Sequence, residues 1–143
     1  MSELIFEEGL GSRSSQKIIA LLTIWETLSV EDIILKTGIS KSQVHVCLKN
    51  LLNNDLLKRK TKGIYTLSDS NFMNLLGKAY ETKINQIISE KINEIQKLIK
   101  LNNYNQAELL FNALVDQYTP ILDKNFGLII SSLSHEFIDN IIN

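Results

Sequence analysis

The chain has very little proline, glycine or cysteine. Its 143 residues include one proline, six glycines and one cysteine. Proline and glycine are the residues that most disfavour helix interiors, so their scarcity favours a helix-rich fold. The single cysteine, Cys47, excludes an internal disulfide and with it the small secreted scaffolds that depend on disulfides. It is compatible with a reducing cytoplasm.

The sequence also lacks a long hydrophobic run. The most apolar segment, IIALLTIW at residues 18–25, is too short to span a bilayer. The first ten residues are acidic rather than basic, unlike a signal peptide. Because 44% of the residues are hydrophobic and 22% are charged, the composition is that of an ordinary globular protein. We therefore predict a soluble, cytoplasmic protein with no membrane partner.

Clustered catalytic or metal-binding residues are missing as well. The two histidines, His45 and His135, fall on separate predicted helices, and no cysteines or carboxylates cluster with them. The Gly77-Lys78 pair lacks the upstream glycine and the following hydroxyl residue of a phosphate-binding loop. We therefore predict that the protein is not an enzyme and that it has no catalytic residue, no metal site and no cofactor.

Charges of both signs are present in nearly equal number, but they are unevenly placed. The formal net charge is -1. Residues 29–67 hold seven Lys and Arg against three Asp and Glu, whereas residues 70–143 hold six lysines against eight acidic residues. A basic segment followed by a mildly acidic one is typical of a nucleic-acid reader with a separate assembly region.

Three short helices are predicted in the first part of the chain. Ser14 or Ser15 can cap the first helix, whose apolar residues recur at helical spacing and are Ile18, Leu21, Leu22, Trp25 and Leu28. Ser29 caps a short second helix, and Gly38 ends it in a left-handed conformation. Ser40 begins a third helix over residues 41–53, with inward-facing Val44, Cys47, Leu48 and Leu51.

The next segments predict a hairpin and then longer helices. LLKRK and IYTL flank a turn at Gly63, and Asn54 and Asp55 suit the bend that precedes them. Ser70 precedes a long helix over residues 71–100, whose apolar stripe is Phe72, Leu75, Leu76, Ala79, Ile84, Ile87, Ile88, Ile92, Ile95 and Ile99. A helix over residues 105–118 follows, and Thr119-Pro120 opens the last helix.

The order of these elements resembles the winged helix-turn-helix family, particularly regulators of the MarR, ArsR and TrmB type. The resemblance covers residues 14–70, and the family pattern is matched at Gly38, Ile39, Ser40, Ser42, Val44, Leu48 and Leu51. The family more often has glycine at the position of Asp55 and a small residue at that of Ile34. The resemblance implies a mainly α fold with a small β-hairpin, in which a winged helix-turn-helix DNA-binding domain at residues 14–70 precedes a helical dimerisation or partner region at residues 71–143.

By this resemblance the protein is a transcriptional regulator that binds double-stranded DNA and is associated with the nucleoid. The helix at residues 41–53 is expected to enter the major groove, and a basic wing at residues 58–63 to contact the backbone or the minor groove. The expected DNA-binding residues, which can pair with base edges or neutralise phosphates, are Lys41, Ser42, Gln43, His45, Val46, Lys49, Lys58, Arg59, Lys60 and Lys62. Two alternatives stay open: a winged-helix protein-interaction or scaffold module, and a non-specific architectural or segregation protein.

Both ends of the chain invite predictions about partners. Residues 1–13, with apolar Leu4, Ile5, Phe6 and Leu10, are an N-terminal arm that packs on a partner or a frayed end. A winged domain of about 55 residues cannot cover the long helix, so we predict a homodimer. Its seam is predicted at Ile84, Ile87, Ile88, Ile92, Ile95 and Ile99. Residues 102–120 resemble half of a tetratricopeptide repeat, so the last helices either complete a bundle or dimer or bind a partner protein.

Overall fold

The computed structural model describes residues 12–142 and is mainly helical, with one small antiparallel sheet. The elements in chain order are α1 (Arg13–Trp25), β1 (Thr27–Ser29), α2 (Val30–Thr37), α3 (Lys41–Asn53), β2 (Leu57–Thr61), β3 (Ile64–Leu67), α4 (Asn71–Lys100), α5 (Tyr104–Asn125) and α6 (Gly127–Ile142). Most of the predicted N-terminal arm, residues 1–11, lies outside the described residues. Within residues 12–142, no helix combines the length and the apolar character needed to cross a membrane.

The chain divides into two compact units, and the boundary lies inside α4. The first unit ends at Glu81 and the second begins at Thr82. The sequence placed this boundary earlier, at residue 70. The later position follows from packing, because Met73 and Leu76 in the first turns of α4 belong to the hydrophobic core of the first unit.

One hydrophobic core holds the first unit together. Its buried residues come from α1, α2, α3, the sheet and the start of α4, and they are Ile18, Ile19, Leu22, Leu28, Val30, Ile33, Val44, Cys47, Leu48, Leu51, Leu56, Leu57, Tyr65, Met73 and Leu76. All four inward-facing residues predicted for α3 are among them. Burying each large apolar side chain contributes about 1.5–3 kcal/mol, so this cluster orients α3 and leaves its opposite side at the surface.

The turn between α2 and α3 forms as predicted. Gly38 has φ 73°, and its N–H donates a hydrogen bond to the carbonyl oxygen of Ile34 at 2.8 Å. Ser40 Oγ accepts a hydrogen bond from the backbone N–H of Gln43 at 3.3 Å and so caps α3. Ser29 caps α2 in the same way, through the N–H of Asp32. These short-range bonds stop one helix and start the next within three residues.

The conformation of Gly38 gives a prediction with a matched control. Gly38→Ala should lower the free energy of unfolding by about 1 kcal/mol, because a β-carbon disfavours the left-handed region. Gly77→Ala, inside α4, should raise it by about 0.5–1 kcal/mol because alanine is the better helix former. A β-carbon at either site meets no atom within 4 Å, so steric overlap does not contribute. Urea unfolding measures the change in the free energy of unfolding for both variants. Changes of the same sign would contradict a left-handed conformation at Gly38 together with a helical one at Gly77.

The start and end of α1 differ from the prediction. Ser12, rather than Ser14 or Ser15, caps the helix by accepting a hydrogen bond from the N–H of Ser15. The helix ends at Trp25, because Glu26 takes a positive φ of 60°. Leu28, predicted on the stripe of this helix, lies instead on β1, where it is buried.

The sheet contains one strand that the sequence did not predict. Its order is β1-β3-β2, and both pairings are antiparallel. β1 has three residues, too few to show a periodicity, and it pairs with β3 at a distance of more than thirty residues along the chain. The predicted hairpin of β2 and β3 is present, with Gly63 at φ 77° in its turn. Asp55 adopts φ 56° before it, in the left-handed conformation expected there.

Helix α4 has the predicted bounds, but its first turns face differently from the prediction. Phe72, Leu75 and Ala79 were expected on the buried stripe, and all three are exposed. Leu76, which was also on the predicted stripe, is buried as expected, and Met73, which was not on it, is buried as well. The FMNLL segment has apolar residues at neighbouring angular positions, so the helical period by itself does not select the face.

The second unit contains the rest of α4 together with α5 and α6. Its helices are joined by the Asn125–Asn85 side-chain hydrogen bond and by Phe111 and Phe137, whose ring centroids lie 5.2 Å apart. Its buried apolar side chains are Ile84, Ile88, Ile92, Ile95, Ala107, Phe111, Leu114, Ile121, Leu122, Leu133 and Phe137. This packing is the helical bundle that was one of the alternatives for the C-terminal region.

The predicted helix break before Pro120 is present as a kink. Tyr118 departs from helical geometry, with φ -129° and ψ 18°, two residues before the proline that cannot donate a backbone hydrogen bond. The helix nevertheless continues to Asn125, and the last helix begins at Gly127 rather than at Thr119. The sequence prediction missed this second break.

Candidate nucleic-acid interface

The outward side of α3 is polar and basic. All six residues predicted on it, Lys41, Ser42, Gln43, His45, Val46 and Lys49, are exposed. They are exposed because the opposite side of the helix is buried in the core of the first unit. Val46 is the apolar member of the set, with 52% of its surface exposed.

Two of these side chains are engaged within α3 and its cap. The Nε2 of Gln43 donates to Cys47 Sγ at 3.6 Å, one helical turn along. Ser42 Oγ lies 3.4 Å from the capping Ser40 Oγ. Gln43 was expected to contact a base edge, and here its Nε2 donates to Cys47 instead. Cys47 itself is buried, as the core interpretation of this residue predicted.

The four basic residues predicted on the wing are all exposed on β2 and its turn, but they differ in their surroundings. Lys58 forms an ion pair with Asp69, so part of its charge is already balanced. Arg59 lies opposite Tyr65 in the hairpin, with its guanidinium carbon 6.0 Å from the centre of the tyrosine ring. Within residues 12–142, Lys60 and Lys62 have no carboxylate partner. These two lysines and Arg59 carry the positive charge available at the hairpin.

A groove joins the basic residues of α3 to those of the hairpin. Its wall on the α3 side includes His45 and Lys49, and its wall on the β2 side includes Arg59. The remaining lining residues are Leu48, Leu52, Asn53 and Tyr65. Cationic groups from two separate elements therefore border one concave surface, to which an anion can bind with contacts from both sides.

Four lining residues of this groove were not predicted as site residues, and they are Leu48, Leu52, Asn53 and Tyr65. Tyr65 is buried, and the guanidinium group of Arg59 lies over its ring. Asn53 adds an amide at the end of α3. Only the cross-strand pairing of Tyr65 with Arg59 would have identified Tyr65 as a site residue. That pairing depends on the hairpin register, which is irregular between Arg59 and Thr61. That register cannot be read from strand periodicity.

The predicted dimerisation residues are mostly covered by the chain itself. Ile84, Ile88, Ile92 and Ile95 are buried within the single chain, and Ile87 and Ile99 are half-buried. The prediction required an exposed apolar stripe that a second copy of the chain would bury. In the structure, α5 and α6 of the same chain bury this stripe. These four isoleucines are therefore core residues of the second unit and not an open seam.

Comparisons with family models, with curated proteins and with solved structures found no match to the chain.

Proposed function

We propose that the first unit is a winged helix-turn-helix module that binds double-stranded DNA, with α3 in the major groove and the β2–β3 hairpin on the backbone or minor groove. The protein would act as a transcriptional regulator. The main support is the groove in which His45 and Lys49 of α3 stand opposite Arg59 of β2. Major-groove width admits an α-helix, and flanking cations neutralise phosphates with release of counterions.

The distribution of charge supports the same proposal. Lys41, Lys49, Lys60 and Lys62 are exposed, and within the described part of the chain none has a carboxylate partner. Unpaired lysines repel each other and keep their hydration, so a surface that gathers them is better suited to a polyanion than to an apolar partner. The scaffold alternative gives no reason for this clustering.

A sequence-tolerant, architectural role is the second candidate, because the composition of α3 offers few groups for reading bases. The helix has no arginine, so the commonest bidentate contact to guanine is absent. Its one glutamine is bonded to Cys47. Few groups are then ready to read bases, whereas the phosphate-binding lysines remain.

We also propose that the protein pairs as a homodimer, which would present two copies of α3 to successive major grooves. The buried isoleucines of α4 are not available for this contact. The exposed apolar residues in the first turns of the same helix, Phe72 and Leu75, are available, with 49% and 69% of their surfaces exposed. Ala79 continues this surface one turn further along.

Fluorescence anisotropy with the DNA upstream of the protein's own gene tests the proposal. We expect binding that weakens steeply with salt, because phosphate contacts release counterions. Binding that persists in the presence of unrelated competitor DNA would identify a sequence-specific regulator. Binding that unrelated competitor DNA abolishes would identify the architectural role. The absence of binding at low salt would refute both and favour the scaffold module.

Single substitutions on the outward side test which residues are used. Lys41→Ala and Lys60→Ala should each weaken binding and reduce the salt slope by about one. Gln43→Ala should weaken binding to the preferred sequence more than to unrelated DNA, by about 1–3 kcal/mol of discrimination. All three side chains are exposed, so the melting temperature serves as the control for folding. Unchanged affinity in all three variants would rule out this face.

A further inference from the structure

Val46 is an apolar residue at the centre of the outward side of α3. It is two residues from both Val44 and Leu48, which is about half a helical turn, so it projects away from these buried side chains. A single exposed valine is common on protein surfaces, so the exposure of 52% of Val46 identifies no site by itself. Its position is more informative. Val46 is the sixth residue of α3, and the first turns of a helix in the major groove are those that contact base edges.

The exposed residues one turn away from Val46 are polar. Ser42 precedes it by one turn, and Lys49 and Asn50 follow it by one turn. Valine has no hydrogen-bond donor or acceptor, so a polar base edge pressed against Val46 would lose its bonds to water without replacement. The C5-methyl of thymine is the apolar group that the major groove offers. Contact with that methyl buries apolar surface on both partners, so Val46 favours thymine over the other three bases.

The amide of Asn50 distinguishes between two sources of such a methyl group. Thymine and 5-methylcytosine both carry it, but their partner bases are adenine and guanine. An asparagine amide can donate to N7 of adenine and accept from its N6 amino group, whereas guanine presents two acceptors. Within residues 12–142 the side-chain amide of Asn50 has no hydrogen-bond partner, in contrast to that of Gln43. Val46 and Asn50 together therefore fit A·T pairs better than methylated G·C pairs.

We propose that Val46 is a specificity-determining residue that contacts the C5-methyl of thymine, so that α3 prefers sites with A·T pairs. This inference rests on the proposed function. It supplies a means of selecting bases for a helix that has no arginine to pair with guanine. Because a methyl group carries no charge and releases no counterions, the preference for thymine should not change with salt, although the affinity does.

The test compares two duplexes with the sequence upstream of the protein's own gene, one of which has uracil in place of every thymine. Uracil lacks only the C5-methyl group. The wild type should bind the uracil duplex about fourfold or more weakly, which is the effect of one buried methyl group. This ratio should be the same across a salt series. Val46→Ala should reduce the ratio to less than twofold, and the four affinities form a double-mutant cycle.

The matched control is Leu109→Ala, which truncates an apolar residue of the second unit that is 65% exposed. It should keep the wild-type ratio between the two duplexes. An equal loss in the wild type and in Val46→Ala would overturn the proposal, because the methyl groups would then act through the shape of the DNA. The melting temperature of each variant checks that it is folded.

A third duplex, with 5-methylcytosine in place of cytosine, checks the choice of thymine. The wild type should bind it within twofold of the unmodified duplex, and a tightening of fourfold or more would overturn the assignment to A·T pairs. If the wild type fails to bind the unmodified duplex at low salt, the proposed function fails and this inference fails with it. If the wild type binds the thymine and uracil duplexes equally well, this inference alone fails.

Discussion

Replacing Lys49 and Arg59 together by glutamine should lower the affinity for DNA by at least about tenfold at low salt and reduce the salt slope by about two. These residues stand on opposite walls of the groove between α3 and β2. Arg59 is positioned by the ring of Tyr65, so less conformational freedom is lost when it binds a phosphate than for an unsupported side chain. In the proposed complex with DNA, we therefore expect this pair to contribute more to binding than the lysines at the hairpin tip. Anisotropy over a salt series measures both quantities.

The matched control removes two charges from the second unit by Lys83→Gln and Lys91→Gln. Both lysines are exposed, and neither lies on the candidate interface. We expect a change in affinity below twofold. A loss as large as that of the groove variant would show that overall charge, rather than the groove, governs binding. No loss in the groove variant, with the wild type binding DNA, would place the interface elsewhere.

Ile95→Ala should lower the free energy of unfolding by about 2–5 kcal/mol, because it leaves a cavity in a packed core. Ile95 has no exposed surface within the single chain. If it belongs to an intramolecular core, the loss is independent of protein concentration. If instead it lies in a subunit interface, the loss of stability caused by the variant changes with protein concentration. Thermal unfolding across a hundredfold concentration range separates these results.

Leu109→Ala, in the second unit, is the control for that measurement. Because 65% of Leu109 is exposed, its truncation should change stability by no more than about 0.5 kcal/mol. In the proposed homodimer, Leu75→Asp should lower the mass observed by light scattering, since a charge would be buried at the contact. A monomeric wild type would refute the homodimer, and a dimer insensitive to Leu75→Asp would move its interface away from Phe72 and Leu75.

Sequence reasoning succeeded where a bond or a contact is made within a few residues. The caps at Ser29 and Ser40, the stop at Gly38 and the turn at Gly63 are confirmed. The inward side of α3 is also confirmed, because the four residues predicted on it, Val44, Cys47, Leu48 and Leu51, are all buried. The exposure of the predicted basic residues follows directly from that orientation.

Sequence reasoning failed where two arrangements satisfy the same pattern. At the start of α4, apolar residues at 72, 73, 75 and 76 allow either of two faces to be buried, and contact with the core of the first unit selects Met73 and Leu76. The isoleucine stripe of α4 was correctly predicted to be buried, but it was expected to be buried by a second copy of the chain. The number and length of the later helices, which provide that cover, depend on a kink and a break that the sequence located only in part.

The sequence by itself determined α2, α3 and the bounds of α4, the caps at Ser29 and Ser40, the hairpin and the basic side of α3, because each depends on hydrogen bonds and periodicities that span a few residues. The tertiary structure alone decided the pairing of β1 with β3, the face of α4 that is buried and the position of Arg59 over Tyr65 opposite Lys49. These features join residues that are distant in the chain or matched only by register. The free energy that selects them comes from burial and cross-strand contact. These contacts form only when the helices and strands pack together.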